Sequence, residues 1–193
     1  MKIIIECNLD INTWKKTQMI KPSAIKKHIA KVVTETLRCA NFTCKELTIS
    51  ALMTTNKKTQ ALNKEYRQKD SPTNVLSFPY TEEDVFNNFE KYKNEALYLG
   101  ELIFAYETIL KEAHEKSFPM PLTETIFQDH LSHLIAHGTL HLLGFDHEDE
   151  EPIEEKAQRA FEGDARATAT DAEIMENLEI KILKNLGIDN PYL

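Results

Sequence analysis

Hydrophobic positions along the chain follow two periods. Alternation marks the strands. Leu47, Ile49 and Ala51 alternate with polar neighbours and predict a strand over 46–52. Ile3, Ile4 and Ile5, followed by Cys7, Leu9 and Ile11, predict another at the start. Short apolar runs at 75–78, ended by Pro79, and at 97–104 predict two more. Helical spacing fills much of the rest. Over 21–38, Ile25, Ile29, Val32, Val33 and Leu37 form one stripe, with Pro22 and Ser23 at its start. Lys26, Lys27 and Lys31 fall on the opposite face and read first as a solvated face and only second as a nucleic-acid-binding stripe. Thr55 or Asn56 can cap a short helix running through Leu62, Tyr66 and Arg67. Further helices are predicted over 106–116, over 123–143 with Thr123 as N-cap, and over 172–186 with Gly187 closing it. The last carries the stripe Ile174, Met175, Leu178, Ile182, Leu183 and Leu186, in which Met175 reads as core.

Between these elements, 70–73 marks a turn. Residues 81–95 are polar and read as an excursion from the core, 148–151 as a solvated acidic run, and 152–171 as helical in composition with patchy periodicity. Strands early and helices late predict an α+β fold, a small mixed sheet packed against helices. At 193 residues the chain suits one domain, 1–193, with a single substantial core. Cys7, Cys39 and Cys44 are too few and too irregular for a disulfide framework and read as reduced thiols in or near the core. The N-terminal apolar run lasts only three residues, so it is no signal peptide, and no run approaches a membrane span. A cytoplasmic protein with no membrane partner is the expectation.

Charge changes the picture of partners. The net charge is −8, which by itself argues against nucleic acid. Residues 1–80 carry 14 Lys+Arg and 6 Asp+Glu, a balance of +8, and residues 81–193 carry the other 9 and 25, a balance of −16. Such asymmetry can give a basic face able to steer a polyanion.

The candidate chemistry lies in residues 137–147, which hold three of the seven histidines. His137 and His141 are four apart, so on a helix they share a face. Gly144 can end that helix in a left-handed turn, letting His147 swing back. Three imidazoles would hold a zinc ion with its fourth position open, the arrangement of a catalytic rather than a structural site. The spacing is that of the metzincin signature H-E-x-x-H-x-x-G-x-x-H, with Gly138 where the glutamate base would stand. Upstream, His130 and His133 extend the stripe. His133 can orient or shield the site, and His130 reads as an ordinary polar position of a partly buried helix.

The stretch His137-Gly138-Thr139-Leu140-His141-Leu142-Leu143-Gly144-Phe145-Asp146-His147 also resembles the signature H-G-x-L-H-L-x-G-[YF]-D-H of the YbeY family of bacterial rRNA maturation factors. Residues 62–79 closely resemble that family's L-N-x-x-Y-R-x-x-D-x-P-T-[ND]-V-L-S-F-P block. Leu99-Gly100-Glu101-Leu102 is similar to its L-G-D-I, with Glu101 in place of the Asp, and residues 175–188 match its usual ending. Segments 81–95 and 148–171 are longer than the family's usual connections and read as insertions.

The resemblance implies a single-strand-specific, metal-dependent endoribonuclease acting on the small-subunit precursor rRNA, at the 16S 3′ end, and in ribosome quality control. It implies His137, His141 and His147 as ligands of one Zn2+, and Arg67 across the cleft on the RNA backbone, where a guanidinium can hold two phosphate oxygens. Asp146, beside a ligand, can hydrogen-bond one of them. The ribosome and small-subunit proteins are the implied partners. Two rivals stay open. The histidine spacing alone suits a metallopeptidase, against which Gly138 speaks. A non-catalytic assembly factor could carry the same metal structurally. Nickel or copper would also suit three imidazoles.

Overall fold

The computed structural model describes residues 1–10, 13–81, 85–145 and 171–193. Four strands, β1 (Lys2–Leu9), β2 (Glu46–Thr54), β3 (Val75–Pro79) and β4 (Ala96–Ala105), form one sheet in the order β1-β2-β4-β3. The first three in that order run parallel, and β3 pairs antiparallel with β4 at the edge. The helices are α1 (Pro22–Cys39), α2 (Asn56–Arg67), α3 (Phe89–Tyr92), α4 (Tyr106–Ser117), α5 (Glu124–Leu143) and α6 (Asp171–Leu186). The expected α+β class with a small mixed sheet is what the chain adopts. The strand order is new, because sheet order follows from tertiary packing and not from local pattern.

Alternation along β2 works as expected. Leu47, Ile49, Ala51 and Met53 are buried while Glu46, Thr48, Ser50 and Leu52 between them are half-open. On that buried face lie α1 and α5. The latter is the organising helix, with Phe127, Leu131, Ile135, Leu140 and Leu143 fully buried; from His130 to Leu143 only His133, His137 and His141 are not buried. At 20 residues it is about 30 Å long. Thr123 caps it, its hydroxyl accepting from the Ile126 amide at 3.2 Å. Gly144 ends it at φ 104°, and the Phe145 amide closes the last turn on the Leu140 carbonyl at 3.1 Å.

Two glycines let the site assemble. A Cβ on Gly138 would lie 2.8 Å from Leu102 Cδ2 and 3.1 Å from Ser77 Oγ, so its absence seats α5 against β3 and β4. Gly100 has φ 143°, and a Cβ there would lie 2.2 Å from the Phe78 carbonyl oxygen. The register of β2 on β4 slips beside it, so that Leu99 has no counterpart in β2.

Residues 81–95 were expected to leave the core, and the described part does not. Val85 is buried, and Phe86, Phe89 and Tyr92 pack on the core. The Phe86 amide donates to the Leu143 carbonyl at 2.9 Å, and its ring lies 4.6 Å from that of Phe145. Phe89 and Tyr92 lie at the two ends of α3, and Phe86 braces the end of α5.

Candidate functional site

From the far half of α5, His137 and His141 face a cleft of about 470 Å³. Their rings stand 4.6 Å apart at 82°. The opposite wall is Arg67, the last residue of α2, with Thr73, Asn74 and the edge strand β3, and Gly144 and Phe145 complete the lining. Residues 70 positions apart thus meet because α2 ends where β3 begins and α5 lies over β3. Arg67 is exposed on that wall. Asp146 and His147, the remaining expected site residues, lie outside the described residues. Among the described residues no three His, Cys, Asp or Glu side chains converge as a metal cluster.

Behind His137 stands Glu179, which the sequence reading did not single out as functional. It sits on α6, 1% exposed. His137 Nδ1 donates to its Oε1 at 2.9 Å, His133 Nε2 donates to its Oε2 at 2.7 Å, and the Tyr192 hydroxyl donates to Oε2 as well. Burial alone would raise the pKa of this carboxyl. The hydrogen bonds from the two histidines, the nearby His137 charge and the Tyr192 hydroxyl outweigh burial and hold it at about 2. It is therefore an ionised carboxylate in the interior. Burial, and then the Glu179 carboxylate, push the Tyr192 phenol well above its usual range. Since a carboxylate only accepts, neutral His137 carries its proton on Nδ1, which leaves the lone pair on Nε2. The signal that could have found Glu179 is its place within the stripe of Met175, Leu178 and Ile182, a charged residue at a core position.

A second network lies alongside. His130 Nε2 is 2.8 Å from Glu112 Oε2, and Asn74 Nδ2 donates to both Glu112 oxygens at 3.2 and 3.1 Å. The Asn74 Oδ1 accepts from the Val75 amide at 2.6 Å. His130 is thus a buried, carboxylate-bound residue rather than an ordinary polar position. Burial lowers its proton affinity, against the pull of Glu112. The Nδ1 atoms of His130 and His133 are buried without a partner among the described residues. That fits rings whose proton sits on Nε2, facing the carboxylates, since an unpaired acceptor is the lesser cost. His133, read from the sequence as able to orient or shield the site, shares Glu179 with His137.

The family model described as Endoribonuclease YbeY matches residues 10–163. The chain belongs to the YbeY endoribonuclease family. Endoribonuclease YbeY of Ehrlichia chaffeensis is 35% identical over 190 residues, spanning 98% of this chain and 97% of its own. That of Magnetococcus marinus is 42% identical over 148 residues, spanning 76% and 84%. A solution structure of TM1509 from Thermotoga maritima is similar at 19% identity and a TM-score of 0.46, covering 96% of this chain and 91% of its own. The expected family and the expected activity class, an enzyme that cuts RNA internally, are borne out. No helix among the described residues is long and apolar enough to cross a membrane.

Proposed function

We propose that this protein is a zinc-dependent, single-strand-specific endoribonuclease that matures the 3′ end of 16S precursor rRNA and takes part in ribosome quality control in the cytoplasm, together with small-subunit ribosomal proteins. The observation that carries this reading is the facing pair of walls: two imidazoles on one side of a cleft and the Arg67 guanidinium on the other.

The residues present fit a bound zinc ion. His137 and His141 offer ring nitrogens to one cleft, and His137 is backed by a carboxylate in the manner of most metal-binding histidines. The ionised Glu179 is hydrogen-bonded by rings and a phenol, and a cation on the far nitrogen of His137 would balance it. His147 would complete the set. Nickel or copper would suit the same nitrogens.

When bound, zinc supplies Lewis-acid polarisation of a phosphoryl oxygen and activation of the nucleophile. The chain does the rest. Arg67 would grip two oxygens of the scissile phosphate and offset the charge that builds on it. Glu179 holds His137 in one tautomer. Asp146 would accept a hydrogen bond from a ligand histidine. Gly138 supplies no base, and its Cβ position is filled by Leu102 and Ser77. A metallopeptidase carboxylate therefore has no residue there, and a side chain would enter only if Leu102 and Ser77 shifted.

The test is metal content and cleavage of a single-stranded RNA spanning the 16S 3′ end, for wild type, His141→Ala and Arg67→Ala. About one metal per chain, cutting lost in both variants, and metal kept by Arg67→Ala is the expected outcome. Equal cutting by all three would assign the activity to a contaminant and favour the assembly-factor reading.

A further inference from the structure

Between Asp10 and Glu35 the chain carries Lys15, Lys16, Lys21, Lys26, Lys27 and Lys31 and no acidic residue, within a protein of net charge −8. All six lysines are exposed. Among the described residues none of their ammonium groups forms an ion pair or a hydrogen bond, whereas Lys2, Lys64, Lys93 and Lys111 each have a carboxylate partner. Four of the six, Lys21, Lys26, Lys27 and Lys31, lie on α1 or at its N-cap. This breaks the local rules of helix building. Lys21 caps α1 without a side-chain hydrogen bond, the first turn holds no acid, and Lys27 and Lys31 repel across one turn. Local cost with no gain in folding marks a surface kept for another purpose.

We propose that the exposed face of α1 and the turn before it form a second RNA-binding surface, separate from the cleft, that grips phosphates of a folded RNA. The choice of RNA as the polyanion rests on the RNA-cutting reading of the cleft. An anionic membrane fits less well. The large apolar residues of α1, Ile25, Ile29, Val32, Val33 and Leu37, are all buried in the core, leaving only the half-buried Ala24 and Ala30, too little to enter a bilayer.

The placement fixes what this surface can do. The inner face of α1 meets α5 where Ser132 Oγ lies 3.0 Å from His28 Nε2, and Gln128 Nε2 donates to the Met19 carbonyl at 3.0 Å. Ser132 precedes His137 by five residues, about 140° around the helix. Helix α1 with its lysines therefore lies on the side of α5 turned about 140° from the cleft, separated from it by the width of two helices, ~20–24 Å. A tetranucleotide in the cleft does not reach them. A folded rRNA segment does, and it would be held at two places.

The variant Lys21→Gln/Lys26→Gln/Lys27→Gln/Lys31→Gln tests this, with its melting temperature checked against wild type. Binding of a structured RNA is followed by fluorescence anisotropy over a salt series, and cutting of a tetranucleotide is measured beside it. The expected result is binding at least about tenfold weaker, a salt slope smaller by about 3, and unchanged cutting of the tetranucleotide. A folded variant with the wild-type Kd and salt slope overturns the proposal. So does unchanged RNA binding together with lost binding to phosphatidylserine vesicles, which would make the face a membrane contact. If neither protein cuts RNA, the nuclease reading fails, and the anisotropy still decides the surface.

Discussion

His137 Nδ1 and Glu179 Oε1 lie 2.9 Å apart, joining the helix that faces the cleft to the last helix of the chain. Because Glu179 is ionised and buried, the bond fixes which ring nitrogen His137 turns toward the cleft. Glu179→Ala should weaken zinc binding by about 10–100-fold, with Glu179→Gln falling between it and wild type. Chelator competition measures this directly. Equal affinity in all three proteins would remove Glu179 from the site.

The same carboxylate should shape acid stability. Its folded-state value of about 2 lies below the ordinary 4.5, so its contribution is fully present above about pH 4.5 and is lost as the pH falls toward 2. The stabilisation involved is on the order of 3 kcal/mol. Urea unfolding of metal-free protein should lose stability down this range in wild type, and less steeply in Glu179→Gln. Parallel pH curves would show that the carboxylate is not held as described.

Glu112 ties Asn74 at the cleft wall to His130 on α5, and it touches neither His137 nor His141. Glu112→Ala should cost about 1–3 kcal/mol for each polar group it leaves unpaired. Zinc affinity should stay at the wild-type value. Thermal melts and chelator competition on one preparation separate the effects, and a loss of metal binding would mean that the two networks act as one.

At Gly138 the metzincin glutamate can be put back. Gly138→Glu would push a carboxylate among Leu102, Ser77 and Val75. A destabilisation of about 3 kcal/mol or more is expected, with no peptide hydrolysis. A stable variant that cleaves peptides would show that the position faces the cleft.

Much of this was legible in the sequence, and the reasons differ by element. Helix α5 was readable because its cap Thr123, its terminator Gly144 and its histidines four residues apart are all local signals. Strand β2 was readable because one face is buried and the other is not. Glu179 was hidden because its partners lie 42 and 46 residues away, and spacing says nothing at that range. Residues 81–95 misled through composition. Four apolar residues, Val85, Phe86, Phe89 and Tyr92, anchor a stretch that is otherwise polar and charged. The antiparallel placement of β3 beside β4 depends on Gly100, whose close approach to Phe78 no periodicity records.

The most direct measurement is RNA cutting by protein stripped with a chelator, before and after one equivalent of zinc is returned. Cleavage of the 16S 3′-end RNA should vanish on stripping and return with the metal, while the stripped protein remains folded. Undiminished cutting by folded, stripped protein would contradict a metal-dependent nuclease built on His137, His141 and His147.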